Sequence, residues 1–290
     1  MKVAYFPGCS LHSTAREYDQ SVRAVAPALG VQLITVEDWN CCGATSAHSL
    51  DPVLSLALPA RNLARAQAAG HQVVVAPCAA CFNRLKTALC QLEEGGEAAQ
   101  TIQKVVGFRF HGGLQVKSLV QLFWEDVGVG AIRRRVCRPL EGLRVACYYG
   151  CLLVRPPEVA AFDDPEHPRA MDDLMAAIGA EPTSWAAATE CCGASLSLVR
   201  GQVVERLVST ILAWAQRAGA EAVVTACPLC QSNLEMRRPA HIKMPIFYFT
   251  ELMGLALGLP DVKRWMRAHL VDPAPVLSRF YPGVGARRGG

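Results

Sequence analysis

Ten of the thirteen cysteines in this 290-residue chain fall into one pattern that is used twice. The first set is Cys9, the doublet Cys41 and Cys42, then Cys78 and Cys81 as Cys-x-x-Cys. The second is Cys151, the doublet Cys191 and Cys192, then Cys227 and Cys230, again as Cys-x-x-Cys. Between single cysteine and doublet lie 31 residues in the first set and 39 in the second; between doublet and Cys-x-x-Cys lie 35 and 34. Thiols spaced in this way hold metals. A tetrahedral zinc site takes four ligands, commonly from Cys-x-x-Cys pairs, and a cubane iron–sulfur cluster takes four thiolates. Five per set is one more than either needs. The spare thiolate argues for a larger or less regular cluster, in which one cysteine bridges two irons, and zinc in one of the sets is the alternative.

The residues around the sulfurs fit that chemistry. Both doublets are followed by glycine, in "NCCGA" at 40–44 and "ECCGA" at 190–194. Gly43 and Gly193 permit the tight turn that lets two adjacent side chains reach one cluster. Gly8 and Gly150 directly precede the single cysteines. Backbone amides after these four glycines are candidate hydrogen-bond donors to sulfur, a contact that tunes a cluster. Cys90, Cys137 and Cys147 lie outside the pattern and read as ordinary packed thiols, Cys147 least so because it stands four residues before Cys151. His12 and His48 follow Cys9 and the first doublet, but an exposed or hydrogen-bonded histidine is the simpler reading of each. No Gly-x-Gly-x-x-Gly, phosphate loop, Ser/His/Asp set or His-Glu-x-x-His is present, so electrons must reach any cluster from a partner.

The elements that must position these residues also repeat. "KVAYFPGCSL" (2–11) matches "RVACYYGCLL" (144–153), and "VVAPCAACFNRL" (74–85) matches "VVTACPLCQSNL" (223–234). Internal duplication is the simplest account. In the first half, β-prone runs "KVAYF", "VQLITV" and "QVVVA" alternate with helical stretches at 14–29 and 52–69. In the second, "LRVACYY", "AVVTA" and "PIFYF" alternate with helices expected at 167–178, 195–217 and 249–258. Strand, helix, strand predicts an α/β fold of two duplicated Rossmann-like domains with parallel sheets, and the cysteines then fall in loops at the carboxyl ends of strands, where such sheets carry function. The expected domains are 1–130 and 140–270, joined through 125–142, where periodicity is lost. The Pro- and Gly-rich 271–290 reads as an extended or disordered tail.

Composition narrows the setting. Half of the residues are hydrophobic and the net charge is +4, which suits a globular chain and gives no case for nucleic acid. The N-terminus lacks the apolar region of a signal peptide, and no apolar run reaches the roughly 18–20 residues that span a bilayer. A cytoplasmic protein that is not integral to a membrane is expected, with peripheral association through partners left open. In a reducing compartment thirteen cysteines are not a disulfide framework.

Two copies of Cys, Cys-Cys-Gly and Cys-x-x-Cys at these spacings, together with "CYYGCLLVRPP" and "FYFTELMGLALGL", resemble the B subunit of heterodisulfide reductase, built from two cysteine-rich CCG domains, over residues 1 to about 270. The resemblance implies two noncubane [4Fe–4S] clusters, one held by Cys9, Cys41, Cys42, Cys78 and Cys81, the other by Cys151, Cys191, Cys192, Cys227 and Cys230. The alternative is one cluster plus a zinc or an empty site. It further implies disulfide/thiol redox chemistry between the clusters, with electrons exchanged through two partner proteins of the complex, one ferredoxin-like and one flavin-containing. Within the family, the bacterial sulfur-oxidation type is the preferred setting. The alternative is an electron-transfer subunit of a CCG-domain respiratory complex of the succinate, lactate or glycolate oxidation type. Ser118 stands where relatives commonly carry histidine.

Overall fold

The computed structural model describes residues 1–44 and 47–282. Its strands are β1 (Lys2–Tyr5), β2 (Gln32–Thr35), β3 (Val73–Ala76), β4 (Gln115–Ser118), β5 (Arg144–Tyr148), β6 (Glu181–Pro182), β7 (Ala222–Thr225) and β8 (Ile246–Tyr248). They form two parallel sheets of four strands, in the orders β2-β1-β3-β4 and β6-β5-β7-β8. The central strands β3 and β7, "VVVA" and "AVVT", are continuous apolar runs because helices cover both faces of a parallel sheet. The register pairs Tyr5 with Val75 and Val75 with Lys117 in the first sheet, and Cys147 with Val224 and Val224 with Phe247 in the second. The duplicated α/β architecture read from the sequence is the one present. Short β4 and the two-residue β6 were outside that reading, since neither carries an apolar run.

The longer helices are α1 (Arg16–Ala28), α2 (Pro52–Ala68), α3 (Ala79–Glu94) and α4 (Gly96–Val106), then α5, which runs as Leu119–Gln121, a wider π-helical Leu122–Gly128 and Val129–Arg133. In the second half come α6 (Ala170–Ala177), α7 (Gly201–Arg217), α8 (Pro228–Met236), α9 (Phe249–Ala256) and α10 (Val262–Met266). The helix expected at 195–217 starts at Gly201, because Gly193 begins a separate 3₁₀ turn, Ala194–Leu196.

The halves exchange the helices that directly follow their last strands. α5 of the first half packs on α6 of the second, and α9 of the second packs on α1 of the first. Trp124 on α5 donates its indole N–H to Asp173 Oδ2 on α6 (3.0 Å), and Ser21 Oγ on α1 bonds Thr250 Oγ1 on α9 (2.6 Å). Phe123 meets Phe249 where the exchanged helices come together, with ring centroids 6.0 Å apart. One continuous core, including the fully buried Tyr5, Tyr18, Phe123, Tyr148, Phe247 and Phe249, therefore runs through both sheets.

Two expectations are corrected. The 125–142 connection is helical as far as Arg133, because glycines that look like breakers sit at the kink where Gly128 takes φ 83°. Residues 271–282 are folded rather than extended: Val271 and Leu277 are buried, Ala274–Leu277 is helical and Arg279 pairs with Glu221 at 3.0 Å. Pro275 there stands in the helical first turn, where proline is tolerated. Residues 283–290 of the expected tail lie outside the described residues.

Candidate metal centre

Each half places its cysteines at the carboxyl edge of its sheet. Cys9 sits in the short helical turn Gly8–His12 beyond β1. Cys78 and Cys227 are the residues that cap the N-termini of α3 and α8, directly beyond β3 and β7. Cys81 and Cys230 follow one turn in. The doublets lie in loops after β2 and β6. In both sheets the strand order reverses between the first and third strands of the half, and crevices at such switch points are where open α/β sheets bind ligands.

The sulfurs converge there. Cys42 Sγ lies 3.3 Å from Cys81 Sγ, and Cys192 Sγ lies 3.5 Å from Cys230 Sγ. Cys41 with Cys42, Cys78 with Cys81, Cys151 with Cys191 and Cys227 with Cys230 also lie near enough for each thiol to shift the pKa of the other. Cys9 is exposed but near enough to Cys41 for its charge to be felt there. Six of the ten, Cys42, Cys78, Cys81, Cys192, Cys227 and Cys230, are buried, Cys151 is half-buried, and Cys9, Cys41 and Cys191 are exposed.

The glycines serve these contacts. Gly43 N–H donates to Cys41 Sγ at 3.4 Å and Gly193 N–H to Cys191 Sγ at 3.3 Å. Gly8 takes φ 73°, and a Cβ there would stand 2.8 Å from Cys81 Sγ; at Gly150 the distance to Cys230 Sγ would be 3.1 Å. Only glycine allows both the left-handed backbone and the close sulfur.

The thiols share protons unequally. Hydrogen bonds from Cys41 and Cys81 bring the Cys42 pKa down to about 4, while the same pairing pushes Cys41 up. Cys191 falls to about 6 through its bond from Cys151, and Cys227 is lowered by bonds from Cys230 and Cys78. Each set thus readily carries a thiolate, the form that binds metal. Among the described residues, no three His, Cys, Asp or Glu side chains gather closely enough to hold a single ion.

The doublet loops are fastened differently. In the first half Asn62 on α2 accepts from Asn40 N–H (2.9 Å) and donates to Asn40 O (3.0 Å), while Asn40 Nδ2 bonds Cys41 O (2.8 Å). In the second, Asn233 on α8 donates to Cys192 O at 3.1 Å and accepts from Ser197 Oγ, and Tyr148 OH donates to Glu190 O at 2.6 Å. α8 is itself clamped. Buried His269 bonds Glu235 Oε1 of α8 at 3.0 Å and Glu251 Oε2 of α9 at 3.0 Å. Although burial opposes the charge, the carboxylates on either side raise the His269 pKa to about 10.

The sequence reading missed Asn62, Asn233 and His269, since no motif marks them; only the near-alignment of Asn83 with Asn233 hints at a role. His12 is exposed and packs edge-on against Trp39 at 5.0 Å. The His48 side chain lies outside the described residues. Cys147 is buried against Asp172 rather than with the second set. Ser118 caps α5, its Oγ accepting Gln121 N–H at 3.0 Å.

The family model of the CCG cysteine-rich domain matches residues 3–86 and 145–235, which contain all ten patterned cysteines. The chain belongs to the CCG cysteine-rich domain family. A relative from Wolinella succinogenes, the 8-methylmenaquinol:fumarate reductase membrane anchor subunit, is 30% identical, covering 93% of this chain and 96% of its own. The B subunit of a ferredoxin/F420H2-dependent CoB-CoM heterodisulfide reductase from Methanosarcina acetivorans is 24% identical over 97% of both chains. A protein from Archaeoglobus profundus described as like the B subunit of heterodisulfide reductase is 25% identical over 91% of this chain and 93% of its own. A hypothetical protein from Helicobacter pylori has the same fold, with TM-score 0.73 at 12% identity over 93% of this chain, which spans about half (52%) of that structure. The chain is a CCG-domain redox subunit. Among the described residues no helix is long and apolar enough to cross a membrane.

Proposed function

We propose that this chain is the iron–sulfur catalytic subunit of a heterodisulfide-reductase-like complex, carrying out disulfide/thiol redox chemistry. What supports the reading is the close approach of thiols within each half, Cys42 to Cys81 and Cys192 to Cys230, and the interaction of Cys78 with Cys227 between the halves. Cys9, Cys41, Cys42, Cys78 and Cys81 would hold one noncubane [4Fe–4S] cluster, and Cys151, Cys191, Cys192, Cys227 and Cys230 the other. Such a cluster, when bound, supplies one electron at a time, and cleaving a disulfide to two thiols takes two electrons and two protons.

The protein's part is placement. The buried cysteines exclude water from the inner edge of each set, and exposed Cys9, Cys41 and Cys191 leave an outer edge open. Gly43 and Gly193 amides hold the outer doublet sulfurs by hydrogen bonds, which favours the thiolate form. Electrons would be exchanged through a ferredoxin-like partner and a flavin-containing partner, with any membrane attachment made through partners. The substrate would be a small or protein-bound disulfide or thiol.

A second reading, an electron-transfer subunit of a respiratory complex, is favoured by the identity with the 8-methylmenaquinol:fumarate reductase relative. Anaerobic purification separates the two. About eight irons per chain, with paramagnetic signals that change when a disulfide is added, supports the first reading; eight irons indifferent to disulfides supports the second. Zinc without iron would reject both.

A further inference from the structure

Tyr18 lies buried on α1 of the first half, and nothing in the duplicated cysteine pattern points to it. Its side chain is completely buried and its ring stacks on that of Tyr248, from the second half, with centroids 4.0 Å apart and planes 1° from parallel. Its hydroxyl stands 3.1 Å from Pro77 O and 3.2 Å from Ala226 O. These carbonyls belong to the residues directly before Cys78 and Cys227, the two inner thiols. A single hydroxyl hydrogen is thus shared between the two Cys-x-x-Cys loops, one from each half.

We infer that Tyr18 is a positioning residue that fixes the spacing between the two sulfur sets. The inference rests on the proposed function for its consequence, and on geometry alone for its existence. The helix exchange aligns the halves as bodies, and Tyr18, on α1 of that interface, carries the alignment to the loops, where a bond to each carbonyl sets one loop relative to the other. Tyr248 supplies the platform. Its own hydroxyl reaches Gln231 Oε1, at 3.4 Å, rather than either carbonyl. The brace exists in one copy: Tyr18 neighbours Asp19, which Tyr5 OH bonds at 2.8 Å, and in the second half the matching acid is Asp172, beside Cys147, preceded by buried Met171. A single hydroxyl shared by both loops needs no duplicate. It serves two-electron chemistry because the path between one-electron centres depends on their separation.

The two tyrosines give a matched test. Tyr18→Phe keeps the stack and removes the brace, whereas Tyr248→Phe removes a hydroxyl from the same stack and leaves the brace in place. In the metal-free full-length chain, amide exchange in residues 78–82 and 226–231 is expected to speed up about fivefold in Tyr18→Phe, the fold-change for one lost buried hydrogen bond. Tyr248→Phe loses its bond to Gln231 in the second stretch, so its control value is read in residues 78–82, where it should stay within about twofold of the parent. In the iron-loaded protein, Tyr18→Phe should bind the same iron but show a weaker magnetic interaction between the two sets. Equal effects of the two variants on exchange in residues 78–82, or an unchanged magnetic interaction in Tyr18→Phe, would overturn the inference. A chain that binds no iron rejects the proposed function, and the exchange comparison still decides the brace.

Discussion

The two halves share their sulfur geometry closely and differ in what holds it. The inner doublet sulfur meets the second Cys-x-x-Cys sulfur at 3.3 Å in the first half and 3.5 Å in the second, and the glycine amide meets the outer doublet sulfur at 3.4 and 3.3 Å. The supports are unlike. The first doublet is tied to α2, the helix that follows it, through Asn62. The second is tied to α8, the helix that already carries Cys230, through Asn233. Among the described residues, the second half alone has a buried charged clamp behind its Cys-x-x-Cys helix. Ligand positions tolerate little drift, because each sulfur must meet the same group, whereas any polar side chain that satisfies the loop carbonyls will do as support.

The largest test of that comparison is ligand removal on each side. Cys42→Ser and Cys192→Ser should each lower iron from about eight to about four per chain by anaerobic iron and sulfide analysis. Loss of all iron from either variant would show that the sets do not load separately.

Next is the clamp peculiar to the second half. His269→Leu leaves Glu235 and Glu251 buried without their partner and should destabilise the chain by about 3–5 kcal/mol in denaturant unfolding. Because the folded pKa of His269, about 10, is raised above the ordinary histidine value of 6.5, its stabilisation is complete below about pH 6.5 and disappears as pH rises through 10. The parent's unfolding midpoint should therefore fall over that window, and the His269→Leu midpoint should fall less.

The doublet fastenings come third. Asn62→Ala and Asn233→Ala should each cost about 1–3 kcal/mol, since loop groups lose their partners. Asn62→Ala should raise the thiol-labelling rate of Cys41 alone. Asn233→Ala should raise that of Cys191 and loosen amide exchange in α8 as well. Equal patterns would mean the halves are supported alike after all.

Smallest are the bonds of the exchanged helices. Thr250→Val and Trp124→Phe should each cost about 1 kcal/mol by thermal or denaturant melting. Unequal losses would show that one exchange carries more of the interface than the other.

Much of this was legible in the chain itself. "VVVA" and "AVVT" read as buried parallel strands because both faces of each strand are covered, so apolar residues run on without alternation. The cysteine spacing, the glycines after each doublet and the repeated flanks placed the sulfurs of each half at one sheet edge. β6 was invisible because two residues, one a proline, leave no pattern to read. The helical turn at 274–277 was masked by prolines that look like breakers from outside and act as first-turn residues within. Asn62, Asn233 and His269 were silent because a buried polar side chain is identified by its partners, and those partners are set by packing.

By itself the sequence determined the duplication, the two α/β units and the thiol sets, since these rest on short-range spacing and on the apolar periodicity of single elements. Tertiary structure alone decided that the halves exchange helices, that Cys78 and Cys227 face each other, and that Tyr18 reaches Ala226 across 208 positions of chain. A contact between residues so far apart follows from how two folded surfaces fit, and no local pattern records it.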